Sequence, residues 1–148
     1  MILCTKKNLW SLASRQILIC DSCSGIEESI LVEHAMDRNS VITSSSQLRV
    51  RQYYDDMCMQ CPEQQIKLYA SSAGTVAEDL SRGGRYTSTL LDVLQDRNLR
   101  TTLNIRHAHN TASELVIQET QGQQRPDYSI PRYRDNQILP AAIVLPGI

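Results

Sequence analysis

The stretch Gln16 to Gly25, QILICDSCSG, constrains the fold more than any other part of the chain. Ile17, Leu18, Ile19 and Cys20 form an uninterrupted apolar run, the pattern of a buried strand. The run stops abruptly at Asp21, and Ser22, Cys23, Ser24 and Gly25 are the small residues of a tight, exposed turn. A second strand follows the same plan. Gln65 to Ala70 (QIKLYA) alternates apolar and polar residues as a half-buried strand does, then empties into Ser71, Ser72, Ala73 and Gly74. Strands that end in such loops, separated by helical patterns, point to an α/β sandwich whose strand-end loops carry the chemistry.

The rest of the chain fills in around these strands. Leu3 to Ser14 reads as loosely helical, and Ile26, Ile30, Leu31 and Met36 recur at helical spacing behind Gly25, with Glu27 and Glu28 in a first turn that favours acids. Asn39 to Gln64 is polar, with a serine triplet at Ser44 to Ser46 and a proline at Pro62, and reads as a mobile, irregular connection. Beyond Gly83 and Gly84, Leu90, Leu91, Val93 and Leu94 mark a helix over Tyr86 to Gln95 capped by Thr87 or Ser88. Ile105, Ala108, Ala112, Leu115 and Val116 mark another over Leu103 to Thr120. Gln121 to Pro140 reads as loop, and Ile138 to Leu145 as a closing strand bent by Pro140. The sum is three strands and about four helices, fewer strands than the five or six of a typical sheet.

Charge and composition exclude several classes of function. A formal net charge of -1 over 148 residues, without a long basic run, argues against a nucleic-acid partner. Nothing approaches the ~20 apolar residues of a membrane span. Lys6 and Lys7 follow the few apolar residues at the start, the wrong order for a secretory signal, so a soluble, cytoplasmic protein is expected. Five cysteines, an odd number, then imply reduced thiols instead of a disulfide framework.

A thiol at the carboxyl end of a strand, in a turn of small residues, sits where backbone N–H groups can face a developing oxyanion. Asp21, two residues before Cys23, suits a substrate cation. Ile17 to Gly25 (ILICDSCSG) resembles the nucleophile strand and turn of caspase-like cysteine peptidases, above all the metacaspase and bacterial caspase-homologue branch. Leu68 to Asp79 (LYASSAGTVAED) is similar to that family's small-subunit strand and specificity loop, and Gly84 to Leu94 (GRYTSTLLDVL) to its G-x-[FY]-T-x-x-L-L helix start. Thr120, Gly122, Gln124 and Pro126 resemble its T-x-G-x-Q-x-P segment, and Leu139 to Ile143 its closing strand.

The resemblance implies a caspase-like three-layer α/β sandwich, here its C-terminal portion. Residues 1–38 would end the large-subunit-like region and include the nucleophile turn, 39–64 would be a mobile inter-subunit linker, and 65–148 the small-subunit-like region. It implies Cys23 as nucleophile, Gly25 in its turn, and Asp21 as the acid of the primary specificity pocket, hence a polypeptide substrate with a basic P1 residue, Arg or Lys. Ser71 and Ser72 would line the same pocket, whereas Ala73 and Gly74 stand where the family often has a second acid. The family's catalytic histidine lies upstream of the nucleophile strand. His34, His107 and His109 fall in helices away from that place, so a His-bearing large-subunit fragment or partner chain is implied. Arg38, Arg49, Arg51 and Lys67 are conceivable self-processing points, and the chemistry calls for no cofactor and no metal.

Two other functions compete. Cys20 with Cys23, and Cys58 with Cys61, form two Cys-x-x-Cys pairs, the spacing of a structural four-thiolate zinc site. Strand alternation points Cys20 and Cys23 in different directions, and no glycine knuckle follows either pair. A catalytically inactive caspase-like scaffold or interaction module is the other. For Cys23 alone, a buried structural thiol is the bland alternative.

Overall fold

The computed structural model describes residues 2–3, 14–23, 45–80, 83–96 and 101–144. In chain order they form β1 (Ile2–Leu3), β2 (Arg15–Cys23), α1 (Ser45–Gln60), β3 (Gln64–Ser71), β4 (Asp79–Leu80), β5 (Gly83–Gly84), α2 (Arg85–Leu94), β6 (Leu103–Asn104), α3 (Ile105–Glu119), β7 (Asp127–Ser129) and β8 (Pro140–Ala142). The main sheet has the order β1-β2-β3-β7, and small two-stranded sheets pair β4 with β5 and β6 with β8. β1, β2 and β3 run parallel, while β7 is antiparallel to β3. The chain is mixed α/β, as its alternating pattern predicts.

The two strands legible in the sequence are the centre of this sheet. β2 and β3 pair from Arg15 against Gln64 to Cys20 against Tyr69. Leu18 and Ile19 are buried in β2, and Ile66, Leu68 and Ala70 are buried in β3 with half-buried Lys67 and Tyr69 between them, the expected alternation. Tyr86 and Leu90 of α2, Ile105, Ala108, Ala112 and Val116 of α3, and Ile138 and Leu139 ahead of β8 complete one apolar cluster with the sheet. Each large aliphatic side chain buried there contributes about 1.5–3 kcal/mol. Gln64, also buried, is fully used: its Nε2 donates to the carbonyls of Pro62 and Gln137, and its Oε1 accepts from Leu139 N–H.

Several expectations need correction. Leu3, where the loosely helical segment is expected to start, is strand together with Ile2, the two paired with Leu18 and Ile19 along the edge of β2, while residues 4–13 of that segment lie outside the described residues. The segment read as irregular contains the sixteen-residue α1. It has no Gly or Pro inside, and Tyr53, Tyr54, Met57, Cys58 and Cys61 recur at helical spacing as its more buried positions. Tyr54 O–H donates to Pro140 O, and Arg15 Nε donates to Cys61 O, fixing the helix to β8 and β2. The helix expected behind Gly25 lies outside the described residues.

Smaller departures follow from helix geometry. α2 starts at Arg85 with Gly84 as N-cap, so neither Thr87 nor Ser88 caps it. Leu91 and Leu115 are exposed, Leu115 because it lies just beyond the arc that the buried residues of α3 occupy. Within the segment read as loop, β7 adds a strand to β3. Among the described residues no helix is long and apolar enough to cross a membrane.

Candidate active site

Parallel pairing carries β2 and β3 to the same end of the sheet, where Cys23 stands opposite Ser71. Between Cys20 and Cys23 the register slips: three steps on β2 match two on β3, from Tyr69 to Ser71. This bulge puts Asp21 and Ser22 together opposite Ala70, and bulges of this kind re-aim side chains beside active sites. Gly25 lies outside the described residues, while the Cys23 backbone closes the ladder.

Asp21 leaves the bulge exposed and meets the first turn of α2, where Thr87 Oγ1 donates a hydrogen bond to its Oδ1. The carboxyl group rests on Gly84: a Cβ there would lie 2.6 Å from Oδ1, 2.7 Å from Cγ and 3.0 Å from Oδ2. A side chain at 84 would therefore displace the carboxylate from this seat. No sequence pattern showed that Thr87 and Gly84 meet Asp21; the Gly84–Thr87 segment was legible only as a helix start.

Ser71 and Ser72 open the facing loop. Ser71 is fully buried and donates to Thr75 O at 2.8 Å, so its hydroxyl shapes the loop from inside. Ser72, half-buried, accepts from Thr75 N–H, closing a turn with Gly74 in the left-handed conformation (φ 83°) that a type II turn requires at its third position. The backbone N–H of Ser72 donates to Arg125 O at 2.6 Å. Gln124, fully buried, holds both ends of the loop: its Nε2 donates to Ala70 O at 2.8 Å and its Oε1 accepts from Glu78 N–H at 3.2 Å. Arg85 then bridges Glu78 and Glu119 at 2.8 Å each. A polar residue in a segment rich in Gln and Arg gave no sign of such burial.

The histidines divide differently. His34 lies outside the described residues. His107 is exposed and pairs with Asp135 at 3.3 Å. His109 is buried, with Tyr86 Oη 2.6 Å from Nδ1 and Ser113 Oγ 3.0 Å from Nε2. Its ring packs edge-on against Tyr86 and Tyr128. Burial pushes its pKa down to about 4, against the partial opposing effect of Asp127, so it is neutral at pH 7. Burial, with a smaller contribution from nearby Asp21, pushes the Tyr86 phenol up, so that phenol stays protonated and is assigned as donor to Nδ1. His109 is thus a satisfied core histidine.

Among the described residues no three His, Cys, Asp or Glu side chains are grouped to hold a metal, and the side chain of Cys23, one of the four thiols of the zinc alternative, lies outside the described residues. Cys58 and Cys61 sit at the end of α1, and burial, first among the causes, raises both thiols above the ordinary range. They are weak nucleophiles at neutral pH. Arg49 and Arg51 lie within α1 and Lys67 within β3, and regular backbone is a poor protease substrate compared with an exposed loop.

No curated protein and no solved structure matches the chain. The family model of the caspase domain matches residues 3–137, nearly the whole length, and the mixed α/β fold is compatible with that family's. The chain belongs to the caspase-domain family of cysteine peptidases.

Proposed function

We propose that this chain carries the nucleophile of a caspase-like endopeptidase of the metacaspase type, cleaving polypeptides after Arg or Lys. The observation that carries the reading is Asp21: an exposed carboxylate at the carboxyl end of a central strand, two residues from Cys23, held by Thr87 and seated on Gly84. A carboxylate so placed pairs with a guanidinium or ammonium group at P1. Ser71 and Ser72 contribute to the same pocket through the loop they build, Ser71 from beneath and Ser72 from its half-buried rim.

In this mechanism the Cys23 thiolate adds to the scissile carbonyl carbon. Backbone N–H groups of Cys23 and Gly25 stabilise the oxyanion, and the C–N bond breaks as a histidine protonates the leaving amine. Water then hydrolyses the thioester and frees the thiol. The histidine comes from an upstream segment or partner chain, a reading supported by the commitment of His109 to the core and of His107 to Asp135. In the same reading residues 1–38 end a large-subunit-like region, 65–148 form the small-subunit-like region, and the segment between, which includes α1, joins them.

The test is intact-mass and peptide-mass analysis of the native sample before and after an arginine-based, thiol-directed peptide probe. Labelling at Cys23, abolished in Cys23→Ala, together with a co-purifying His-bearing polypeptide, is the expected result. Labelling confined to other thiols would instead support a catalytically inactive scaffold, the second reading, which the occupied His107 and His109 favour.

A further inference from the structure

The geometry points to Thr87 as a positioning residue that fixes the Asp21 carboxylate, and so as a second determinant of selectivity for basic substrates; this rests on the proposal that Asp21 receives the P1 cation. An exposed aspartate on a bulge would ordinarily sample several rotamers, and a cation-binding site needs its carboxylate held within a fraction of an ångström. Two restraints act here. The Thr87 hydroxyl donates to Oδ1, and the bare backbone of buried Gly84 leaves the volume that the carboxyl group occupies.

The donor is itself rigidly mounted. Thr87 is β-branched, with few χ1 states in a helix. Three consecutive residues in the first turn of α2 point to three different anchors. Arg85 bridges Glu78 and Glu119, Tyr86 is buried against His109 at 2.6 Å, and Thr87 reaches Asp21. A carboxylate offers about four lone-pair sites, so one bond from Thr87 leaves acceptor capacity for a bidentate guanidinium. Thr87 therefore acts through Asp21 and need not touch the substrate.

The experiment compares the labelling rate of Cys23 in the full chain by two thiol-directed peptide probes that differ only in ending in arginine or norleucine. The variants are Thr87→Val, which keeps the shape and removes the donor, Thr87→Ser, which restores it, and Asp21→Asn. Losing a hydrogen bond to a charged group lowers the arginine-to-norleucine ratio about tenfold in Thr87→Val, and Thr87→Ser recovers it. Should Cys23 react with neither probe, the ratio of affinities for N-acetylarginine amide and N-acetylnorleucine amide, followed by backbone amide NMR shifts, gives the same comparison. An unchanged ratio in Thr87→Val with a lost ratio in Asp21→Asn would overturn the role of Thr87 and leave the proposed function standing. A ratio that survives Asp21→Asn would overturn both. A parallel fall of both rates in Thr87→Val, with the ratio intact, would reduce Thr87 to a structural residue and overturn its role in selectivity.

Discussion

Lowering the pH should destabilise this protein through one core residue, His109. In the unfolded chain its imidazole takes a proton near the ordinary 6.5, whereas in the fold burial holds the pKa at about 4. Above 6.5 the ring is neutral in both states and its contribution is fully present. Between 6.5 and about 4 only the unfolded state binds the proton, so stability falls with pH, and below that it falls no further. At 1.36 kcal/mol per unit, the loss is about 2 kcal/mol by pH 5 and about 3 kcal/mol by pH 4.

The surroundings explain why the fold resists protonation. Tyr86, Ser113 and Tyr128 enclose the ring with hydroxyls and aromatic edges, and Asp127, the one nearby acid among the described residues that acts on it, offsets burial only in part. The assay is urea unfolding at about pH 7.5, 6 and 5 of the wild type and of His109→Gln, whose amide keeps a donor and an acceptor but does not titrate. Carboxylates titrate alike in both proteins, so the difference in pH slope isolates the histidine. If the two lose the same stability between about pH 7.5 and 5, the burial argument is refuted.

Three further outcomes are expected. Gln124→Leu leaves Ala70 O and Glu78 N–H without their buried partner, costing about 2–5 kcal/mol and visible as a lower urea midpoint; a change below about 1 kcal/mol would mean that the loop holds itself. Gly84→Ala keeps an allowed backbone (φ -57°) but displaces the exposed Asp21 carboxyl, so the melting temperature should hold while the arginine preference in probe labelling falls. Cys58 and Cys61 should alkylate about tenfold more slowly in the native chain than in urea, because burial raises both thiols; equal rates measured by peptide mass spectrometry would contradict that burial.

What was legible in the sequence follows from how local each signal is. Ile17 to Cys20 and Gln65 to Ala70 declare themselves because a central strand imposes its burial pattern on adjacent residues, and both are strands. α2 and α3 carry the 3.6-residue stripe in Leu90 and in Ile105, Ala108, Ala112 and Val116. The helix α1 was missed because its polar residues outnumber a stripe made of tyrosines, methionine and cysteines, which apolar counting passes over. β1 and β7 were missed because strands of two or three residues have no period to read, and their pairing partners are distant in sequence. The site divides along the same line. Asp21 and Cys23 stand two apart in one motif, whereas Thr87 meets Asp21 across 66 positions, and only folding brings them together.

The parallel pairing of β2 with β3 has a consequence for a broken backbone. A cut anywhere between Cys23 and Ser45 would sever the peptide without removing a rung of that ladder, the Arg15 clamp on Cys61 O or the Thr87 tether on Asp21. The two pieces would share one sheet, each supplying a neighbouring strand, so their association would draw on the same buried area that stabilises the intact chain. After such a cut the described contacts between the two pieces would hold them at a high effective concentration without a covalent link.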